Sequence, residues 1–140
     1  MNPVHKLSVT VTADQVDGNR HANNVAYVQW MQDAAVHHAD ASGSTRVSTA
    51  IGASWVVRSH HIEYLSPAFA GDVIEILTWV STLERVRSLR KYRMIRTADQ
   101  ALLARAETEW IFVDAKSGRP RRIPDEIRSA FPIAGSETEP

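Results

Sequence analysis

The sequence predicts an α+β domain in which one long helix is covered by a single antiparallel sheet of five strands. Three observations carry that prediction. Residues 23–43 have one helical apolar stripe. Residues 54–113 are almost continuously extended in pattern, with short turns between the runs. A further β-rich segment precedes the helix. Consecutive strands joined by short turns are antiparallel neighbours, and a helix with a wide apolar face must be covered.

The first strand is expected at residues 6–13, Lys-Leu-Ser-Val-Thr-Val-Thr-Ala, which alternate and are β-rich. Residues 14–23 are polar, with Asp, Gly and Asn, and predict a loop. Tyr27, Trp30, Met31, Ala34, Ala35 and His38 recur at helical spacing on one side. All the residues opposite are polar except Val36. Asn23 or Asn24 suits the N-cap, and Gly43 suits the position after the last turn. Two large aromatics followed by small alanines fit a helix lying in a curved sheet. Strands are then expected near 54–65, 72–83, 86–97 and 101–113. Lys116-Ser117-Gly118 ends the last strand, and Pro124 opens a short helix that runs to Phe131.

Composition limits the function classes. At 140 residues the chain fits one domain, expected at 1–134, with a polar, acidic tail at 135–140 expected to be disordered. Lys plus Arg equal Asp plus Glu at 16 each, so no net field draws the chain to nucleic acid or to a membrane. Basic residues still cluster at Arg85 to Arg96 and at Arg119 to Arg122, which leaves local patches for an anionic ligand. With no cysteine, disulfides, a thiol nucleophile and cysteine-bound metals are excluded. Neither a signal-like stretch nor a run of about 20 apolar residues occurs, so a soluble cytoplasmic protein is expected.

Chemistry concentrates at residues 17–30, where the polar loop enters the long helix. The first N–H groups of a helix have no internal partner and carry positive partial charge, so they suit a developing oxyanion. Beside them stand a carboxylate, Asp17, an imidazole, His21, and the amides Asn19, Asn23 and Asn24. Acyl transfer needs such parts: a group that attacks or activates water, and donors for the carbonyl oxygen. Each has a plainer reading. Asp-Gly is a common turn pair, so Asp17 could serve only the turn. His21 could simply pack on the helix start, and Asn23 could simply cap it. Tyr27 and Trp30 are expected in the core. Adjacent histidines, as in His37-His38 and His60-His61, diverge on a helix or strand and poorly chelate one ion.

The run Asp17, His21, Asn23, Asn24, Tyr27 and Trp30 resembles the signature of hot-dog-fold thioesterases of the 4-hydroxybenzoyl-CoA thioesterase type. With Asn19 included, it is similar to the plant acyl-ACP thioesterases. The likeness continues through Ile62-Glu63-Tyr64-Leu65-Ser66-Pro67-Ala68, Gly71-Asp72 and Arg122-Ile123-Pro124. It implies a five-stranded sheet wrapped around the long helix, subunits paired into one continuous sheet, and an active site at their interface. By position, Asp17 would be the catalytic carboxylate and the Asn24 N–H the oxyanion donor. Asn19 and His21 match polar residues assigned to catalysis in the acyl-ACP branch.

Acyl-CoA, or alternatively acyl-ACP, is the implied substrate, the implied state a homodimer or homotetramer, and no metal or redox cofactor is implied. Arg87 and Arg90 lie on strands near which this fold binds coenzyme A phosphates; their plainer reading is a solvated face. Arg20 departs from the glycine usual in the bacterial branch, Pro67 stands at the acyl-ACP branch's acidic position, and the chain holds one hot-dog unit where that branch has two. An acyl-CoA-binding protein with little activity, or a hydratase or dehydratase, would use the same fold.

Overall fold

The computed structural model describes residues 2–134 and 139–140. Most of the expected tail, residues 135–138, therefore lies outside the described residues. Strand β1 is His5–Thr10, β2 Ala53–Tyr64, β3 Val73–Leu83, β4 Arg87–Arg96 and β5 Leu102–Asp114. The helices are α1, Asn24–Ser42, α2, Ser44–Ala50, and α3, Asp125–Ala130. All five strands form one antiparallel sheet in the order β1-β3-β4-β5-β2. This is the hot-dog architecture the sequence predicts.

α1 starts and stops where local chemistry dictates. The Asn23 side chain accepts from the Ala26 N–H at 2.8 Å, which settles the N-cap in favour of Asn23. Gly43 ends the helix at φ +87°, a conformation costly for any residue with a Cβ. The predicted stripe is buried in full, from Tyr27 through His38. It packs on Ile74, Ile76, Tyr92, Met94, Ala104 and Ala106, and the small residues Ala34 and Ala35 bring the helix close to the sheet.

The far end of the core is built from Val80, Phe112, Ile123, Ile127 and Phe131, so α3 plugs the sheet beyond the C-terminal end of α1. Leu77 and Trp79 point to the other face of β3 and are covered by Ala134. The sequence pattern did not reveal α2. Its Ser-Thr-Arg-Val-Ser-Thr-Ala composition has weak helix propensity. Tertiary contacts hold it instead, with Ser44 and Ser48 buried.

Candidate active site

The loop before α1 is folded by Asp17. Its Oδ1 accepts the backbone N–H of Asn19 at 2.9 Å and of His21 at 3.3 Å. The backbone closes the same turn, with Asp17 N–H donating to the His21 carbonyl at 2.9 Å. Arg20 takes a positive φ of 66° inside this turn. Its departure from glycine is therefore accommodated in the left-handed region at some steric expense. Thus Asp17 does serve the turn, but through one oxygen. Among the described residues no hydrogen bond engages Oδ2.

Two neighbours fix the loop to the fold. Ala22 N–H donates to the Ala68 carbonyl at 2.8 Å, and Asn23 N–H to the Gln15 carbonyl at 2.7 Å. The His21 ring meets Phe69 edge-on at 5.3 Å. Phe69 belongs to the turn that Arg96 organises: its guanidinium donates to the Pro67 carbonyl and to Asp72, and lies 6.0 Å from the Phe69 ring. Arg96 and Phe69 were not foreseen as part of this region. In sequence, Phe69 falls inside the strand–turn–strand block after Glu63, and Arg96 is the last member of the basic cluster that starts at Arg85.

Asn24 is the first residue of α1, and its N–H makes no hydrogen bond among the described residues. The side chains of Asp17, Asn19, His21 and Asn24 are all exposed. The fold thus brings one carboxylate, one imidazole and an unpaired helix-start N–H into a single loop–helix junction open to solvent. Such a junction can hold a carbonyl at the helix end and offer it a carboxylate or a water.

The two candidate arginines separate. Arg87 points away from α1, where its Nε meets Glu84 at 3.1 Å and its Nη1 meets Glu109 at 3.9 Å. Arg90 turns beneath α1 and is only 5% exposed. Three positions apart on a strand means opposite faces. Of the two, Arg87 alone is at the surface of the chain.

His37 and His38 also diverge as adjacent helical residues must. His38 is buried and accepts from Arg90, whereas exposed His37 meets His5 at 2.6 Å. His60 bonds Thr108 at 2.8 Å, and Glu63 pairs with Arg105 on the neighbouring strand. Among the described residues no helix is long and apolar enough to cross a membrane.

Residues 11–131 match the profile of the thioesterase-like superfamily. The acyl-CoA thioester hydrolase YbgC of Escherichia coli is 30% identical over 79% of this chain and 81% of its own length. The oleoyl-acyl carrier protein thioesterase 1 of Arabidopsis thaliana is 24% identical over 91% of this chain. The chain spans 37% of that plant relative's length. Among solved structures, Slr0204, a 1,4-dihydroxy-2-naphthoyl-CoA thioesterase from Synechocystis, superposes with a TM-score of 0.82 at 17% identity. That match covers 91% of this chain and 95% of the other, and shows a shared fold. With the profile spanning both the loop–helix junction and the sheet, the chain belongs to the thioesterase-like superfamily.

Proposed function

We propose that this chain hydrolyses acyl thioesters, releasing a carboxylic acid and a thiol, and that its substrates are acyl-CoA esters. The observation that carries the reading is the junction at the start of α1. Asp17 keeps one carboxylate oxygen unengaged in a loop that leads directly to the unpaired N–H of Asn24. The thioester carbonyl oxygen accepts from that N–H. Asp17 either takes a proton from the attacking water or attacks the carbonyl itself, and the C–S bond breaks as the tetrahedral centre collapses. The thiolate takes up a proton. In the direct route, water then cleaves the acyl–Asp17 anhydride. Asn19 and His21 line the same turn and orient the substrate or the water.

Coenzyme A is favoured over carrier protein by the relative whose length this chain matches, which is named as an acyl-CoA hydrolase. Arg87 is the candidate nucleotide contact, and Arg119 and Arg122 form an exposed second group. A homodimer completes the pocket. The support is β2: a twelve-residue strand at the sheet edge, with Val56 and Val57 exposed. A long edge strand presents unpaired N–H and C=O groups that can recruit another strand.

The test is a panel of acyl-CoA esters with thiol release followed by a disulfide reagent, run beside Asp17→Asn. Turnover in the wild type that Asp17→Asn abolishes supports the reading. Tight binding without turnover would leave a binding protein. Hydration of an enoyl thioester would point to the other chemistry of this fold.

A further inference from the structure

Arg90 is a buried cation without a counter-charge. It projects from β4 toward α1, where Nη1 donates to His38 Nδ1 at 2.9 Å and to Thr78 Oγ1 at 3.1 Å. Among the described residues no carboxylate pairs with it, and its Nε and Nη2 make no hydrogen bond. Phe131 offers only its ring face, at 5.4 Å. Burial lowers the guanidinium's pKa, yet arginine stays protonated at neutral pH. An unpaired buried ion is costly to stability.

This cation sits in the wall of a cavity of about 260 Å³ between the C-terminal half of α1, α2 and the sheet. The cavity is graded. Exposed Val36, Asp40 and Thr49 stand among its outer residues, and buried Ser48, Ser88 and Arg90 among its inner ones. Among the described residues Asp40 is the one carboxylate in the lining, and it lies at the exposed end. Trp110 borders the same space with its ring, while its buried Nε1–H lies beside the Tyr92 hydroxyl and not at the cavity surface. Among the described residues, Arg90 therefore keeps donors without acceptors beside one space, amid the apolar surfaces of Trp55, Val80 and Phe131. The volume falls below the roughly 300–1,000 Å³ of whole-ligand pockets. It suits a chain end rather than a nucleotide.

We propose that this cavity is a carboxylate site that takes the charged end of an acyl chain, with Arg90 donating to its oxygens. Along the axis of α1, Ala39 in the cavity wall is about 22 Å from Asn24 at 1.5 Å per residue. The site is therefore distinct from the junction at Asp17 of the same chain. Choosing an acyl acid as ligand rests on the hydrolase reading; the anion site itself rests on Arg90. The carboxylate has two sources. It is the distal end of a dicarboxylic acyl thioester, or it belongs to a free fatty acid.

Titration of the wild-type protein with octanoate and with methyl octanoate, followed by tryptophan fluorescence and calorimetry, tests the site without catalysis. Octanoate should bind at least ~10-fold more tightly, since hydrogen bonds to charged groups are worth that much. Arg90→Gln should erase the difference, and Arg90→Lys should keep part of it. Equal binding of acid and ester by the wild type overturns the proposal, so the test survives a variant that fails to fold. Hydrolysis of octadecanedioyl-CoA, whose chain is long enough to span the ~22 Å, in preference to stearoyl-CoA, lost in Arg90→Gln, identifies the substrate's distal end as the ligand. Octanoate binding without that preference identifies the free acid. If octanoate binds with the stated preference while neither thioester is cleaved, the site stands and the hydrolase reading falls.

Discussion

Arg90 Nη1 and His38 Nδ1 meet at 2.9 Å, joining the middle of β4 to α1 through the buried face of both. A guanidinium can only donate, so His38 Nδ1 must accept, and the ring is neutral with its proton on Nε2. Burial, then the charge of Arg90, then His5 and His37 push the His38 pKa down to about 3.

The pH dependence of stability follows. In the unfolded chain His38 titrates near ~6.5, and in the fold near 3. Between these values the unfolded state holds the extra proton, so stability is present above pH ~6.5 and is lost as pH falls toward 3. One proton limits the slope to about 1.4 kcal/mol per pH unit. The His5 pKa is lowered too, chiefly by burial, and acts in the same direction. Replacing His38 with Asn keeps an acceptor near Nδ1 and removes the titration. Denaturant midpoints between pH 7 and 4 should fall less steeply in His38→Asn than in the wild type. Parallel curves would show that His38 is not the acid-labile group.

Asp17→Asn separates chemistry from folding unusually well here. An amide oxygen can still accept from the Asn19 and His21 N–H groups, so the turn should hold and the melting temperature should stay within about a degree. The charge and the base are gone, so turnover of acyl-CoA should fall by ~100-fold or more. Binding of a non-hydrolysable analogue should persist. Near-normal turnover in the folded variant would remove Asp17 from the mechanism.

Asn23 carries a purely local burden. Its Oδ1 satisfies one of the orphan N–H groups of α1. Asn23→Ala should cost about 1 kcal/mol and lower the melting temperature by roughly 3–5 °C, whereas Asn23→Asp should be nearly neutral. Thermal denaturation checks both. An unchanged melting temperature in Asn23→Ala would mean that the sheet, rather than the cap, fixes where α1 begins.

What could be read from the sequence was whatever short-range rules decide. The α1 stripe, its Asn23 and Gly43 ends and the alternating runs of β3 and β4 follow from periodicity and capping, and each element lies within two or three residues of its expected place. α2 was hidden because its serines and threonines favour no element until Ser44 and Ser48 are buried. Arg90 was hidden for a related reason. Within a run of arginines nothing local says which one turns inward, and only the register of β4 under α1 puts it beside His38 and Thr78. The Arg96–Phe69–His21 contact joins segments far apart in sequence, so no spacing within the loop announces it.

Assembly through β2 can be tested at the edge itself. Wild-type protein at micromolar concentration should scatter light as at least a dimer. Lysines on an edge strand discourage the addition of another strand. A Val56→Lys, Val57→Lys double variant should therefore shift toward monomer and lose turnover together. A variant that becomes monomeric yet keeps its activity would show that one chain holds the whole site.

The nucleotide end of the substrate gives the last test. Coenzyme A carries a pyrophosphate and a 3′-phosphate, which short acyl-pantetheine lacks. A surface arginine that meets these phosphates contributes equally to ground and transition states, so its loss should raise KM for acyl-CoA and leave kcat alone. Arg87 is the candidate from β4 that reaches solvent, but Glu84 and Glu109 already draw on its charge. Pairs this exposed are worth about 1 kcal/mol or less, so a phosphate can compete for the guanidinium. Arg87→Ala should raise KM for acyl-CoA several-fold, with acyl-pantetheine unaffected. Equal effects on both substrates would mean that Arg87 acts through the sheet and not on the nucleotide. No effect on either moves the phosphate contact to Arg119 and Arg122, which form no ion pair among the described residues. An Arg119→Ala, Arg122→Ala double variant should then show the KM increase that Arg87→Ala lacks.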